Sequence, residues 1–222
     1  MQMCDPKNVV ISRCWFDDSL TGKSLAGILA ARGVAVSMES AAETVIELQS
    51  RGGCQAVFHA MAEEDVVRIM TSPHTMIASD GEVPIFGSGA PHPRSYGTFA
   101  RVLGRYVREK KVLPLEEAVR KMTSLPAARL RLADRGLLRP GMKADVVVFN
   151  AETIADRATF LQPHQYATGF AAVLVNGRPV ILNGKLTANR PGRVLWGPAA
   201  HARLKSVFDR PANLGTPAFR PD

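Results

Sequence analysis

Short apolar runs alternate with helical periodicities through the first part of the chain. Asn8-Val9-Val10-Ile11-Ser12 reads as a buried strand. Ser24 to Arg32 reads as a helix with Leu25, Ile28 and Leu29 on one face, stopping at Gly33. Ala41 to Arg51 predicts a second helix closed by Gly52-Gly53, and Gln55 to His59 a short strand. Ala62-Glu63-Glu64-Asp65 opens a third helix, its acidic first turn suiting the positive end of the helix dipole, with Val66, Val67, Ile69 and Met70 as its apolar face. Thr75 to Ser79 reads as a strand again and ends in Asp80-Gly81. This alternation predicts parallel strands with helices packed outside them.

From Glu82 to Pro93 the chain is rich in Gly and Pro and has no period. Helices then follow at Thr98 to Lys110, Pro114 to Ser124 and Pro126 to Leu132, with Pro114 and Pro126 where first-turn prolines are tolerated. After Asp134 the pattern becomes β-rich: turn chemistry at Arg139-Pro140-Gly141, the strand Val146 to Phe149, and a hairpin of Ala171–Val175 and Pro179–Leu182 about Asn176-Gly177. Arg193 to Trp196 reads as one more strand, and the residues beyond as an irregular, proline-bearing tail. No internal repeat is visible. The strand-helix units are too few to close an eight-stranded barrel, which typically takes about 250 residues.

The formal charge is +8 and the pI near 9.8, which raises nucleic acid as a partner. The densest basic cluster, Arg101-Arg105-Arg108-Lys110-Lys111, reads as the wet side of one helix. No basic tract interleaved with aromatics, zinc-finger spacing or helix-turn-helix pattern accompanies it. A solvated basic surface is therefore favoured over nucleic-acid binding, and a small carboxylate substrate is a second candidate anion. No run approaches the roughly 18 apolar residues of a membrane span, and the N-terminus lacks a signal-peptide pattern. Cys4, Cys14 and Cys54 are widely and irregularly spaced, which argues against a disulfide framework and for reduced thiols in a cytoplasmic setting.

Asp80 carries the candidate chemistry. A carboxylate at the C-terminal end of a strand, followed by Gly, is where α/β folds place catalytic groups. The same dipeptide also fits an Asx-turn capping the strand. Arg94 reads equally as a substrate contact or a loop arginine. His92, flanked by prolines, reads as loop packing, and His59, His74, His164 and His201 stand alone.

The wider context resembles the D-aminoacylase family of amidohydrolases, the N-acyl-D-amino-acid deacylases. The resemblance rests on Met76 to Gly81, Pro91-His92-Pro93-Arg94, Gly97-Thr98-Phe99, Arg101 to Gly104 and Leu115 to Thr123. Further on it is carried by Arg139-Pro140-Gly141, Ala144 to Phe149, Pro163-His164-Gln165 and Val175-Asn176-Gly177. It covers most of residues 60–195. What it implies is zinc-dependent hydrolysis of the amide of an N-acyl-D-amino acid. Asp80 would be the catalytic proton shuttle, Arg94 the holder of the substrate's α-carboxylate, and Ser12, Ser79 and Gly81 further substrate contacts.

One departure is consequential. The family takes metal ligands from a His-x-His pair and from further histidines, and this sequence has no His-x-His. It therefore reads as α/β, the C-terminal part of a (β/α)8 amidohydrolase barrel plus a small β-sandwich portion. Residues 1–133 would be closing barrel units, 134–197 part of the small β domain and 198–222 the tail, with zinc ligands supplied from outside the chain. Unpaired strand edges then predict association with a missing N-terminal half or with itself. A non-catalytic association module and another amidohydrolase branch are the alternative readings.

Overall fold

A computed structural model describes residues 5–89 and 91–195. Its first unit runs β1 (Val9–Cys14), a 3-10 turn (Asp18–Leu20), α1 (Leu25–Ala31), α2 (Met38–Ser50) and β2 (Cys54–Phe58). Both helices are capped by serine. The Ser24 hydroxyl accepts the Gly27 N–H at 3.0 Å, and Ser37 with Ser40 forms a reciprocal capping box at the head of α2. The box starts α2 three residues before the apolar period suggests. Val9, Ile11, Leu25, Ile28, Leu29 and Leu48 are buried together in a core drawn entirely from this unit.

β1 and β2 pair antiparallel, with Val9 opposite Phe58 and Cys14 opposite Cys54. The parallel arrangement expected from strand-helix alternation is thus overturned. A single helix carries the chain back to the end where the first strand began, as parallel pairing requires. Here two helices in succession return it to the end where β1 finished. The same register corrects the reading of the cysteines: Cys14, fully buried, is joined to Cys54 by a disulfide across the two strands.

The second unit opens with α3 (Glu63–Thr71). Residues 75–79 follow without regular secondary structure and belong to no ladder, so the strand read there does not form among the described residues. A loop then leads to α4 (Arg94–Arg101), which continues as π-type turns over Val102–Glu109. Next come α5 (Leu115–Met122) and α6 (Ser124–Arg129). A four-stranded antiparallel sheet completes the fold in the order β3 (Val146–Phe149), β4 (Phe170–Val175), β5 (Arg178–Leu182), β6 (Lys185–Leu186). The β4–β5 turn is the predicted one, with Asn176 and Gly177 both at positive φ. Arg193–Leu195 forms no strand, and Trp196 with the tail lies outside the described residues. One core spans this unit, taking Met70 from α3, Leu103 and Tyr106 from the long helix, Ala118 from α5 and Ile154 from the connection after β3. Among the described residues no helix is long and apolar enough to cross a membrane.

Two sets of contacts fix the long helix and the run 75–79. Gly97, Arg101, Gly104 and Arg108 lie on one face of the helix. A Cβ on Gly97 would stand 2.7 Å from the Asp156 Cβ, and one on Gly104 2.6 Å from the Ile154 carbonyl oxygen. The glycines let residues 151–156 lie directly on the helix. The arginines then fasten that strap, Arg101 to the Asp156 carboxylate at 2.9 Å and Arg108 to the Ile154 carbonyl at 2.6 Å. Lys110 pairs with Glu63 of α3. These three basic residues are engaged with neighbouring elements, contrary to the expectation of a wet helix face.

The run 75–79 is held by α5. Lys121 has no exposed surface; its ammonium donates to the carbonyls of Ser72 and Thr75 and lies 3.7 Å from Glu117. The Lys121 carbonyl accepts the Ile77 N–H, and Arg120 donates to the Pro73 carbonyl. A Lys121→Ala substitution leaves two carbonyls without their donor and is expected to cost about 3 kcal/mol of unfolding free energy. Gly104→Ala forces the strap off the helix and is expected to cost about 1–3 kcal/mol. Urea denaturation followed by near-UV circular dichroism measures both; losses below about 0.5 kcal/mol would contradict this account of the two tethers.

Candidate active site

The run tethered by Lys121 delivers Asp80 to the start of α4. Asp80 has φ 47°, the left-handed region that a non-glycine residue seldom occupies and that Asp tolerates better than most. Gly81 follows because nothing larger fits: a Cβ there would come 2.9 Å from the Ser95 Cα and 3.2 Å from the Arg94 carbonyl oxygen. Two hydroxyls hold this contact. Ser79 Oγ accepts the Gly81 N–H at 3.2 Å, and Ser95 Oγ accepts the Glu82 N–H at 3.1 Å.

Across that contact Arg94, the first residue of α4, places its Nη2 3.0 Å from Asp80 Oδ2. The two residues read from the sequence as proton shuttle and carboxylate holder are therefore neighbours. Their side chains are 85% and 43% exposed, so the pair adds little to stability, typically about 0–1 kcal/mol. It orients the two charged ends toward each other instead. Arg94 also lines a cavity of about 900 Å³ whose walls include Ile69, Met76, Ile77, Arg101 and Phe160.

His92 stands at the mouth of this arrangement. Its Nδ1 accepts the Arg94 N–H at 3.1 Å, and its ring meets Phe160 edge-on at 5.0 Å. Shelter from water and the Arg94 charge push its imidazole below the ordinary range, and Asp80 opposes them. His59 lies edge-on to Phe160 as well. The loop-packing reading of His92 agrees with these contacts.

The remaining predicted residues are placed differently. Ser79 is half-buried and serves the turn after it, and Gly81 serves close packing. Ser12 sits within β1, at the irregularity between Ile11 and Arg13, where a strand end was expected. It lines a second cavity, of about 630 Å³, together with Arg13, Asp18 and His164. Sequence reasoning missed Ser95, Asp156 and Lys121. The seven-residue spacing of Gly97 and Gly104 is the one local sign that a strap crosses the helix. Among the described residues no three of His, Cys, Asp and Glu come together to hold a metal ion, so this donor set does not fit zinc.

Comparison with known proteins places this geometry. The pattern of the amidohydrolase family matches residues 17–181. D-aminoacylase of Alcaligenes xylosoxydans xylosoxydans is 44% identical over 191 residues, covering 86% of this chain and 37% of the relative. N-acyl-D-aspartate deacylase of the same organism is 46% identical over 140 residues, covering 63% and 28%. A crystal structure of D-aminoacylase superposes with a TM-score of 0.70 at 43% identity, over 84% of this chain and 37% of that one. N-acyl-D-glutamate deacylase from Bordetella bronchiseptica, solved with zinc and a phosphonate inhibitor, gives 0.68 at 40% identity over 85% and 37%. The chain belongs to the amidohydrolase family and has an α/β fold. It spans little more than a third of the length of the D-aminoacylase it matches.

The neighbourhood of His92 is testable without turnover. Its C2 proton is expected to titrate below the ordinary histidine midpoint of about 6.5. Arg94→Met removes a charge that disfavours the imidazolium and should move the midpoint up; Asp80→Asn removes one that favours it and should move it down. Proton NMR of the three proteins measures the order, and equal midpoints would break the proposed proximity.

Proposed function

We propose that this chain contributes the proton-transfer and substrate-holding side of an N-acyl-D-amino-acid deacylase, with the remaining machinery outside these 222 residues. In this reading α3, the run 75–79 and the helix from Arg94 are closing units of a (β/α)8 barrel within residues 1–133. Residues 134–197 are part of a small β domain beside it. The observation that carries the reading is the facing pair, Asp80 and Arg94 at 3.0 Å, on a chain 44% identical to a D-aminoacylase.

The chemistry needs both groups. Hydrolysis adds water to the amide carbonyl and expels the amine, so one proton must leave the attacking water and one must reach the leaving nitrogen. The Asp80 carboxylate accepts the first and returns it as the second, a task typically worth about 10²–10⁴ in rate. The products are a carboxylate and a D-amino acid. Arg94 offers five N–H donors in a planar fork. One edge holds Asp80 while the other receives the substrate α-carboxylate, orienting the scissile bond toward the shuttle. Zinc supplies water activation when bound in such enzymes. In this reading its ligands come from outside the chain, and no step is assigned to it from these residues.

The test is a chimera in which the uncovered segments of the Alcaligenes xylosoxydans xylosoxydans D-aminoacylase complete this chain. Asp80→Asn is expected to lower kcat by about 10²–10⁴-fold, and Arg94→Met to act mainly through KM. Hydrolysis of an N-acyl-D-amino amide, which lacks the carboxylate, should lose less on Arg94→Met than hydrolysis of the acid does, keeping only the part that comes from holding Asp80. Activity of Asp80→Asn within a few-fold of the parent would remove Asp80 from its role.

A second reading, an association module, is favoured by the unpaired run 75–79 beside Met61 and Ile69, which are 81% and 59% exposed. Unpaired edges and exposed apolar side chains recruit partners. The isolated chain is then expected to sediment as an oligomer whose size grows with concentration. A monodisperse monomer at all concentrations would count against this reading and leave the deacylase reading untouched.

A further inference from the structure

The loop that leaves Gly81 and returns at Pro93 belongs to no sheet and is anchored by its tip. Phe86 stacks on Tyr166 with centroids 5.0 Å apart and planes at 18°. It meets His164 edge-on at 5.5 Å and Tyr96 at 6.3 Å. Tyr96 lies on α4, two residues beyond Arg94, so the element bearing the candidate carboxylate holder also grips the loop that follows the candidate shuttle.

His164 uses both ring nitrogens in this grip. Its Nδ1 lies 2.9 Å from the Tyr96 hydroxyl and 3.1 Å from the Gly87 nitrogen, and its Nε2 lies 3.1 Å from the Gly89 carbonyl oxygen. A carbonyl only accepts and a backbone N–H only donates, so the partners dictate the tautomer. The proton sits on Nε2, and the Nδ1 lone pair receives the Gly87 N–H and the Tyr96 O–H. A second proton has one place to go, Nδ1, where it would face the Gly87 N–H.

We infer that His164 is a positioning residue: as a neutral imidazole it latches the loop between Asp80 and Arg94 onto α4, and its protonation breaks the Gly87 tie of that latch. The surrounding groups do not cancel the effect. The Tyr96 hydroxyl accepts as well as donates, so it turns to receive the new Nδ1–H, and the partner that loses its acceptor is the Gly87 N–H. Arg13 and Asp18, from the β1 side, share a cavity with His164 and carry opposite charges. The Gly87 tie therefore needs the neutral ring and is lost when falling pH puts a proton on Nδ1.

This inference rests on the loop geometry and stands whether or not the chain takes part in deacylation. The experiment follows amide exchange of Gly87 and Gly89 by NMR in the full 222-residue chain, from about pH 8 to about pH 5, corrected for the intrinsic pH dependence of exchange. Protection of Gly87 is expected to fall by about tenfold across that range, the size of one hydrogen bond. His164→Gln should make protection independent of pH, and Phe86→Ala should expose the loop at every pH. Flat protection in the unaltered chain, or the same pH dependence in His164→Gln, overturns the latch. Imidazole nitrogen shifts in the unaltered chain give a reading that needs no variant: a proton on Nδ1 at alkaline pH also overturns it.

Discussion

Backbone carbonyls of Ser72 and Thr75 converge on the ammonium of Lys121, and the position of Asp80 depends on that convergence. A run with no strand beside it has no ladder for the polar groups that it turns inward, and burying those unpaired would be costly. Lys121 answers with donors from a fully buried side chain, and Glu117 lies close enough to balance its charge. The arrangement is strict because a buried ammonium tolerates few geometries. Shifting α5 by a fraction of a turn would strand the charge and the carbonyls together.

The opposite side of the site is governed by exclusion. Gly97 and Gly104 clear a track on the long helix, and residues 151–156 occupy it so closely that a methyl group would collide. Arg101 and Arg108 then bind the strap by charge and hydrogen bond. Burial depresses the Arg101 guanidinium, but Asp156 more than compensates and leaves it above its ordinary value. Part of the basic composition is thus internal wiring. The net charge of +8 says less about external partners than its size suggests.

What was legible in the sequence was local. The start of α1 at Ser24, the acidic head of α3 and the Asn176-Gly177 hairpin are decided within a few residues, and each was read close to where it forms. What was not legible depends on residues far apart. Pairing direction turned on two helices between β1 and β2, and the disulfide on a register that brings Cys14 opposite a cysteine 40 positions away. The inward course of Arg101 depended on Asp156, which no helical period announces. Asp80 and Arg94 fall between these cases. Their residue types hinted at chemistry, resemblance paired them, and the close approach at Gly81 supplies the physical cause.

The two cores assign the site to one body. Residues 9–56 bury their apolar side chains among themselves, and residues 66–170 do the same. Asp80, Arg94, Lys121 and the strap are all held by the second core. Ser12 is held by the first, in a cavity it shares with the segment around His164. Any influence of Ser12 on chemistry at Asp80 must therefore cross from one packed body to the other. The connection available is the cavity lined by Ser12, Gly89 and His164, beside the loop gripped by Tyr96 and His164. The close approach at Gly81 fixes the backbones of Asp80 and Arg94 relative to each other, whereas the first unit meets this body at that cavity and at the edge of His59 against Phe160. Contacts of that kind open at less cost than a core does. The backbone at Asp80 and Arg94 is accordingly the stiff part of the site, and the side facing β1 is the part that can adapt.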